Sequence, residues 1–174
     1  MDEKLFECRF THDMETRKEL IKFLNFRLPR RKISLIALAL LFVIQLTATI
    51  LLTVWKSDSF FVYWILTLIF PMYAALIVYS YFRAVSLYKK QVDELFGGKY
   101  PEVYLYFTET ELHSKSSTSE EITVSMSSFD KVYKTDKFVI LMTKAKVVHY
   151  FVKSGFVKGT PEELVAFLHG KGIK

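Results

Sequence analysis

The 174-residue sequence predicts an α+β membrane protein, in which a two-helix transmembrane hairpin is combined with an antiparallel β domain closed by a C-terminal helix. Three observations predict this class: two long runs without charge, a later stretch in which apolar residues alternate between short turns, and a marked helix start near the C-terminus. Although 51% of the residues are hydrophobic, the formal net charge is +6. This size and composition exclude a large multidomain enzyme and a disordered chain.

The two apolar runs, residues 33–55 and 59–82, contain neither a charged residue nor a histidine. As helices rising 1.5 Å per residue they would each be roughly 34 to 36 Å long, enough to cross a hydrocarbon core of about 30 Å. The alternative is a pair of buried helices in a soluble bundle, but so short a chain has too little other material to cover two helices that are apolar all round. Only Lys56, Ser57 and Asp58 separate the runs, so we expect a tight antiparallel hairpin over residues 33–82.

Basic residues at the open end of this hairpin predict its orientation. Against Lys56 alone in the loop, seven lie near the outer ends of the two runs: Arg27, Arg30, Arg31, Lys32, Arg83, Lys89 and Lys90. Because Lys and Arg are enriched on the cytoplasmic side of a membrane, we expect a multi-pass protein of the cell membrane with both termini in the cytoplasm. The lipid bilayer is thus its first expected partner, and much of the positive charge is a topology signal.

A polar contact inside the membrane is expected near Pro71. Proline lacks an N–H, so the carbonyl of Thr67 loses its helical partner, and folding the hairpin about Ser57 brings Gln45 to about the depth of Ile69. One hypothesis is that the Gln45 amide donates to the Thr67 carbonyl and holds the two helices together. The alternative is that Gln45 lies in an interface between protomers. Neither apolar run contains an ionisable residue at depth, which argues against a pump or an ion pathway.

The segments outside the hairpin are predicted to be cytoplasmic. Residues 1–32 contain a β-prone stretch at 5–11 and an amphipathic helix, and residues 83–98 form a helical extension that ends at Gly97 and Gly98. Residues 99–174 form the β domain, with strands predicted at 103–108, 111–117, 121–126, 129–135, 137–143 and 146–152. Thr160, Pro161 and Glu163 then form a capping box at the start of a C-terminal helix.

A bent antiparallel sheet closed by one C-terminal helix is the plan of pleckstrin-homology-like domains, which have seven strands. Only six strands are predicted within residues 99–174, one fewer than this plan requires, so we expect residues 5–11 to supply the seventh strand. Three stretches, YLYFTETEL at 104–112, FDKVYKTDKFVIL at 129–141 and FVKSGF at 151–156, resemble the YcxB-like family of bacterial membrane proteins. The resemblance implies two transmembrane helices, a pleckstrin-homology-like domain and a bacterial inner (plasma) membrane. Related membrane-anchored domains of this fold include self-immunity proteins against bacteriocins.

Residue patterns for catalysis or for metal binding are missing from the sequence. It has no G-x-S-x-G, P-loop or G-x-G-x-x-G motif, and its histidines lie in separate predicted elements. Its one cysteine, Cys8, lies in a predicted strand, where we expect a packing residue rather than a nucleophile. The turn at 108–111, taken as the first hairpin, is acidic, whereas lipid-binding members of the fold carry Lys and Arg there.

We therefore expect a non-enzymatic protein without a cofactor, a metal, a nucleic-acid partner or an identified small-molecule substrate. Its cytoplasmic domain would bind a protein partner or a second copy of the chain. The alternative is a self-immunity protein that protects the cell against a membrane-active bacteriocin or peptide.

Overall fold

A computed structural model describes residues 3–55 and 60–174, which form two compact units. The β unit comprises residues 3–13 and Gly98–Lys174, and the helical unit comprises the described residues of Met14–Gly97. The helical unit is therefore inserted into the sequence of the β unit. The predicted loop at 56–58 and Ser59, the first residue of the second predicted span, lie outside the described residues.

The helical unit contains three α-helices and one π-helical turn. They are α1 (Met14–Lys22), the π-helical turn (Phe23–Arg27), α2 (Pro29–Val54) and α3 (Phe60–Phe96). The extension predicted at 83–98 is not a separate element, because α3 continues without a break to Phe96. There Gly97 and Gly98 adopt φ angles of +58° and +79° and end the helix. Both α2 and α3 are long and apolar enough to cross a membrane.

The described part of the β unit contains eight strands, two short 3₁₀-helices (Met126–Ser128 and Lys153–Gly155) and one α-helix. The strands are β1 (Phe6–Thr11), β2 (Glu102–Phe107), β3 (Glu111–Ser116), β4 (Ser119–Ser125), β5 (Phe129–Lys134), β6 (Phe138–Thr143), β7 (Val148–Val152) and β8 (Phe156–Lys158), and the helix is α4 (Pro161–Gly170). The six strands predicted after the hairpin are all present, with ends within two residues of the prediction. β8 was not predicted, because three residues are too few to show an alternating pattern.

These strands form two antiparallel sheets. One has the order β4-β3-β2-β1-β8 and the other β5-β6-β7. The predicted participation of the N-terminal strand is confirmed, because β1 pairs with β2 along its whole length and with β8 on its other side. In this register Phe6 lies opposite Phe107 and Thr11 opposite Glu102. The acidic turn at 108–111 joins β2 to β3, so its assignment to the first hairpin of the sheet was wrong.

The core lies between the two sheets. The ring of Phe107 in β2 stacks on that of Phe151 in β7, with centroids 5.4 Å apart, and Leu164 and Leu168 of α4 are fully buried in the same cluster. The predicted capping box is confirmed: Thr160 Oγ1 accepts the Glu163 N–H at 3.2 Å, and the Glu163 carboxylate accepts the Thr160 N–H at 2.9 Å. This cap fixes the point at which α4 begins to cover the core.

Candidate functional site

The predicted orienting residues lie in or beside the two long helices. Arg27 ends the π-helical turn, Arg30, Arg31 and Lys32 belong to the first turns of α2, and Arg83, Lys89 and Lys90 belong to the second half of α3. Lys90 forms an ion pair with Glu94 at 3.5 Å. Between Glu19 and Asp93 the sequence contains one acidic residue, Asp58. The basic groups at the start of α2 therefore have no acidic neighbour in the sequence to neutralise them.

A pair of threonines joins α2 to α3. The Oγ1 atoms of Thr49 and Thr67 lie 2.8 Å apart, and both residues are buried, with exposed fractions of 0% and 4%. Nearby, the Trp64 indole N–H donates to Thr53 Oγ1 at 3.1 Å. Two hydrogen bonds between side chains thus cross the helix interface. Small hydroxyl residues suit such a position because they allow close helix packing while their polar atoms are satisfied.

The predicted hydrogen bond from Gln45 to the carbonyl of Thr67 is wrong. Gln45 Nε2 is buried, and it has no hydrogen-bond partner in the part of the chain that the structure describes. Thr49, one turn after Gln45, occupies the contact with α3 instead. The same hairpin symmetry that paired Gln45 with Ile69 brings Thr49 within two residues of Thr67, so the sequence did contain the signal. Pro71 lies within α3, one turn after Thr67.

The outward face of the five-stranded sheet carries a polar and aromatic group that we call the outer-face network. It consists of Lys4, Glu7, Tyr104, Tyr106, His113 and Glu121. The Tyr104 hydroxyl donates to Glu7, and Lys4 Nζ donates to the Tyr104 hydroxyl at 3.0 Å. Lys4 Nζ also lies 4.6 Å from the centre of the Tyr106 ring, a cation–π distance. These contacts hold the segment before β1 against β2.

The other half of the network links β2 to β3 and β4. The Tyr106 hydroxyl donates to Glu121 Oε1 at 2.7 Å, and the Tyr106 ring stacks on His113 with 4.5 Å between centroids and a 2° interplanar angle. His113 Nδ1 lies 3.0 Å from the same Glu121 oxygen. In the sequence this stretch indicated only a fold pattern. The alternation of Tyr104 and Tyr106 with two apolar residues already placed both tyrosines on one face of a strand.

The pKa values of Lys4, Tyr104, Tyr106 and Glu121 move in directions that keep the protonation states of these four groups fixed near neutral pH. The hydrogen bond between Tyr106 and Glu121 raises the pKa of the phenol and lowers the pKa of the carboxyl group. Burial and the bond to Glu7 raise the pKa of Tyr104, and the bond to Tyr104 raises the pKa of Lys4. The tyrosines therefore stay neutral donors, and Glu121 stays an ionised acceptor. The network presents a preorganised surface of rings and fixed charges.

The remaining candidate for chemistry, Cys8, is fully buried in the core. Its Sγ donates to the carbonyl oxygen of Val152 at 3.4 Å, and burial raises the pKa of the thiol to about 12. Within residues 3–55 and 60–174, no three His, Cys, Asp or Glu side chains are grouped as a metal site would require.

Comparison with known proteins gives no match, neither to a family model, nor to a curated protein, nor to a solved structure.

Proposed function

We propose that this chain is an integral membrane protein whose α2–α3 hairpin anchors a pleckstrin-homology-like domain at the cytoplasmic face of a bacterial membrane. The observation that carries the proposal is the pairing of β1 with β2 across the inserted helical unit. Since β1 precedes the hairpin and β2 follows it, the two ends of the hairpin must emerge on the same side of the membrane. Two spans satisfy this condition.

Exposure of the two helices supports the membrane assignment. In the described residues, only 6% of the apolar window of each helix is buried. The core helices of a soluble protein would be mostly covered, because exposed apolar surface costs about 25 cal/mol per Å² in water. Lipid is the environment in which this surface has no such cost. The basic residues at the open end then support a cytoplasmic location for both termini.

The order of the strands supports the pleckstrin-homology-like assignment and the resemblance to the YcxB-like family. Strands β1 to β4 are neighbours in sequence order, strands β5 to β7 form a second meander, and α4 closes the core. This gives seven strands and one helix in the expected order, with β8 as an addition. In this arrangement the helical unit takes the place of the loop between the first two strands.

The outer-face network supports binding of a protein partner rather than catalysis. Tyrosine is enriched at protein interfaces because its ring offers contact area and its hydroxyl offers a hydrogen bond. The side chains of Tyr104 and Tyr106 are already held in place by their contacts within the network. Binding of a partner would therefore cost little additional side-chain entropy. We therefore assign the partner surface to the outer face of the five-stranded sheet.

The proposal is tested by membrane extraction and labelling of single-cysteine variants in a Cys8→Ala background. We expect the chain to stay in the membrane pellet after alkaline carbonate extraction. A membrane-impermeant maleimide should label Ser57→Cys in intact cells, but Glu109→Cys, at an exposed turn, only after lysis. Extraction into the soluble fraction would contradict membrane insertion, and the reverse labelling pattern would contradict the orientation.

A photo-crosslinking amino acid at Tyr106 tests the partner surface in the same cells. We expect a discrete crosslinked protein at this position. A crosslinker at Val147, which is exposed in the turn before β7, is the matched control and should give none. Absence of a product at Tyr106, or the same product from Val147, would contradict the assigned surface.

A further inference from the structure

The helical unit contains a cavity of about 430 Å³ between α2, α3 and the π-helical turn. Its walls are mostly apolar, with Leu35 and Leu38 from α2 and Ile69, Phe70 and Ile77 from α3. Polar side chains lie at the end that contains the start of α2, among them Arg31 and Asn25. The cavity is thus an amphipathic groove, with an apolar body and a cationic, hydrogen-bonding end.

The length of the groove matches one leaflet of a bilayer. On α3 it extends from Ile69 to Ser80, which corresponds to about 16 Å of helix. Half of a hydrocarbon core of about 30 Å is close to this length. The polar end coincides with the basic flank of the hairpin, so the groove runs from the membrane surface towards the midplane. One acyl chain of a lipid in that leaflet has a suitable length and polarity.

The charge at the polar end selects an anion. No acidic side chain pairs with Arg31 among the residues that the structure describes. Among the described residues that line the groove, Arg31 is the one charged residue. A phosphodiester placed beside this guanidinium would form a charge-assisted hydrogen bond, and the Asn25 amide could donate a second.

We propose that this groove binds one anionic glycerophospholipid, with its phosphate at Arg31 and one acyl chain along Leu38 and Ile77. The inference rests on the proposed function, since it requires the hairpin to lie in a bilayer. It also assigns Arg31 a role beyond orientation: the bound lipid neutralises a cation that has no acidic partner among the described residues. The occupant is a membrane lipid, because a free phosphate would leave the apolar body of the groove empty.

Native mass spectrometry of the purified full chain in detergent tests the inference. The probes are phosphatidylglycerol and phosphatidylcholine, each titrated separately, with soluble glycerol phosphate as a third arm. We expect one phosphatidylglycerol to be retained with higher affinity than phosphatidylcholine, and glycerol phosphate not to bind. Arg31→Gln should weaken phosphatidylglycerol binding about tenfold, as expected for the loss of one charge-assisted hydrogen bond. Leu38→Trp, which fills the groove, should remove binding of the lipid.

Two matched variants control for net charge and for bulk. Lys32→Gln removes a neighbouring charge that does not line the groove, and Leu40→Trp adds an indole at an exposed position of α2. Both should retain the lipid as the unmodified chain does. Equal affinity of Arg31→Gln and the unmodified chain, an equal loss in Lys32→Gln, or equal binding of phosphatidylcholine would each overturn the inference. If the chain resists carbonate extraction but shows one of these results, the lipid site alone is contradicted. If carbonate extracts the chain into the soluble fraction, membrane insertion is contradicted as well.

Discussion

The burial of the Cys8 side chain follows from its position on β1. Alternate residues of this strand face the core, and Cys8 lies there between the two sheets with no exposed surface. The sequence predicted a packing residue because the thiol lies in an alternating apolar stretch, and this is confirmed. The protonation state could not be predicted in this way, because it depends on burial and on the nearby Val152 carbonyl from β7. Such a neighbour is fixed only when the two sheets pack.

The raised thiol pKa predicts a loss of stability at alkaline pH. In the unfolded chain Cys8 ionises near its ordinary pKa of about 8.5, whereas in the folded chain it stays protonated to about pH 12. The unfolded state therefore binds fewer protons in this window, and stability falls as pH rises, with a limiting slope of about 1.4 kcal/mol per pH unit. Urea unfolding of the full chain in detergent, followed by circular dichroism between pH 8 and pH 10.5, measures this slope.

Cys8→Ala provides the control for other groups that titrate in this range. This substitution removes the thiol, so the free energy of unfolding of the variant should depend less steeply on pH. The cavity left by the missing sulfur atom lowers the stability of the variant at pH 8. The difference between the two chains should shrink as pH rises. Parallel curves for the two chains would show that Cys8 ionises equally in both states and would contradict the prediction.

Elements with a strong local signal were predicted closely, and elements that depend on their neighbours were not. Thr160 and Glu163 mark the start of α4 in the sequence itself, and the strand pattern from β2 to β7 is local in the same sense. The π-helical turn has no capping residue or period of its own. In α2 the sequence favoured Gln45 because hairpin symmetry brings it to about the depth of Ile69, but the helices approach closely enough for two threonines to meet.

The threonine pair predicts a stability difference confined to the helix interface. Thr49→Val keeps the side-chain shape, removes one hydroxyl and should destabilise the hairpin by about 0.5 to 1.5 kcal/mol. Thr47→Val is the matched control, because the Thr47 hydroxyl donates only within α2, to the Val43 carbonyl at 2.9 Å. Unfolding in mixed micelles can be followed by tryptophan fluorescence, since both tryptophans, Trp55 and Trp64, belong to the helical unit.

A double-mutant cycle completes this test. Because the Thr49 and Thr67 hydroxyls contact each other, the double valine variant should lose less stability than the sum of the two single variants. Gln45→Leu should leave stability unchanged or raise it, because the Gln45 amide is buried without a hydrogen-bond partner among the described residues. Strictly additive losses, or a loss in Gln45→Leu larger than in Thr49→Val, would argue against the observed interface.

At the scale of the whole molecule, the sequence predicted the fold class and the strands that form the sheet, but it did not predict the contacts on the outer face of the sheet. The α+β class followed from periodicity, and β1 was assigned to the sheet because the other strands were one short. The outer-face network was missed, since it joins Lys4 and Glu7 to Tyr104 and Tyr106 across about a hundred residues. Such contacts depend on the register between β1 and β2, and that register follows from packing of the complete unit.

The insertion of the helical unit between β1 and β2 predicts that the first eleven residues are essential to the β unit. Deleting residues 1–11 removes Phe6 and Cys8 from the core and leaves β2 and β8 without their shared neighbour. Since burial of one large aromatic side chain alone is worth about 3 kcal/mol or more, we expect the β unit to lose its cooperative stability. In hydrogen–deuterium exchange in detergent, the variant that lacks residues 1–11 should exchange faster than the unmodified chain in peptides that cover β2 and β8.

Deletion of residues 1–3 is the matched control, because it shortens the same terminus and leaves β1 intact. Its exchange should equal that of the full chain, and a synthetic peptide of residues 1–13, added to the longer deletion, should restore part of the protection at β2. The helical unit has its own contacts between α2 and α3, so its exchange should change little in either deletion. Unchanged exchange in β2 and β8 after removal of residues 1–11 would mean that the sheet holds together without β1 and would contradict the prediction.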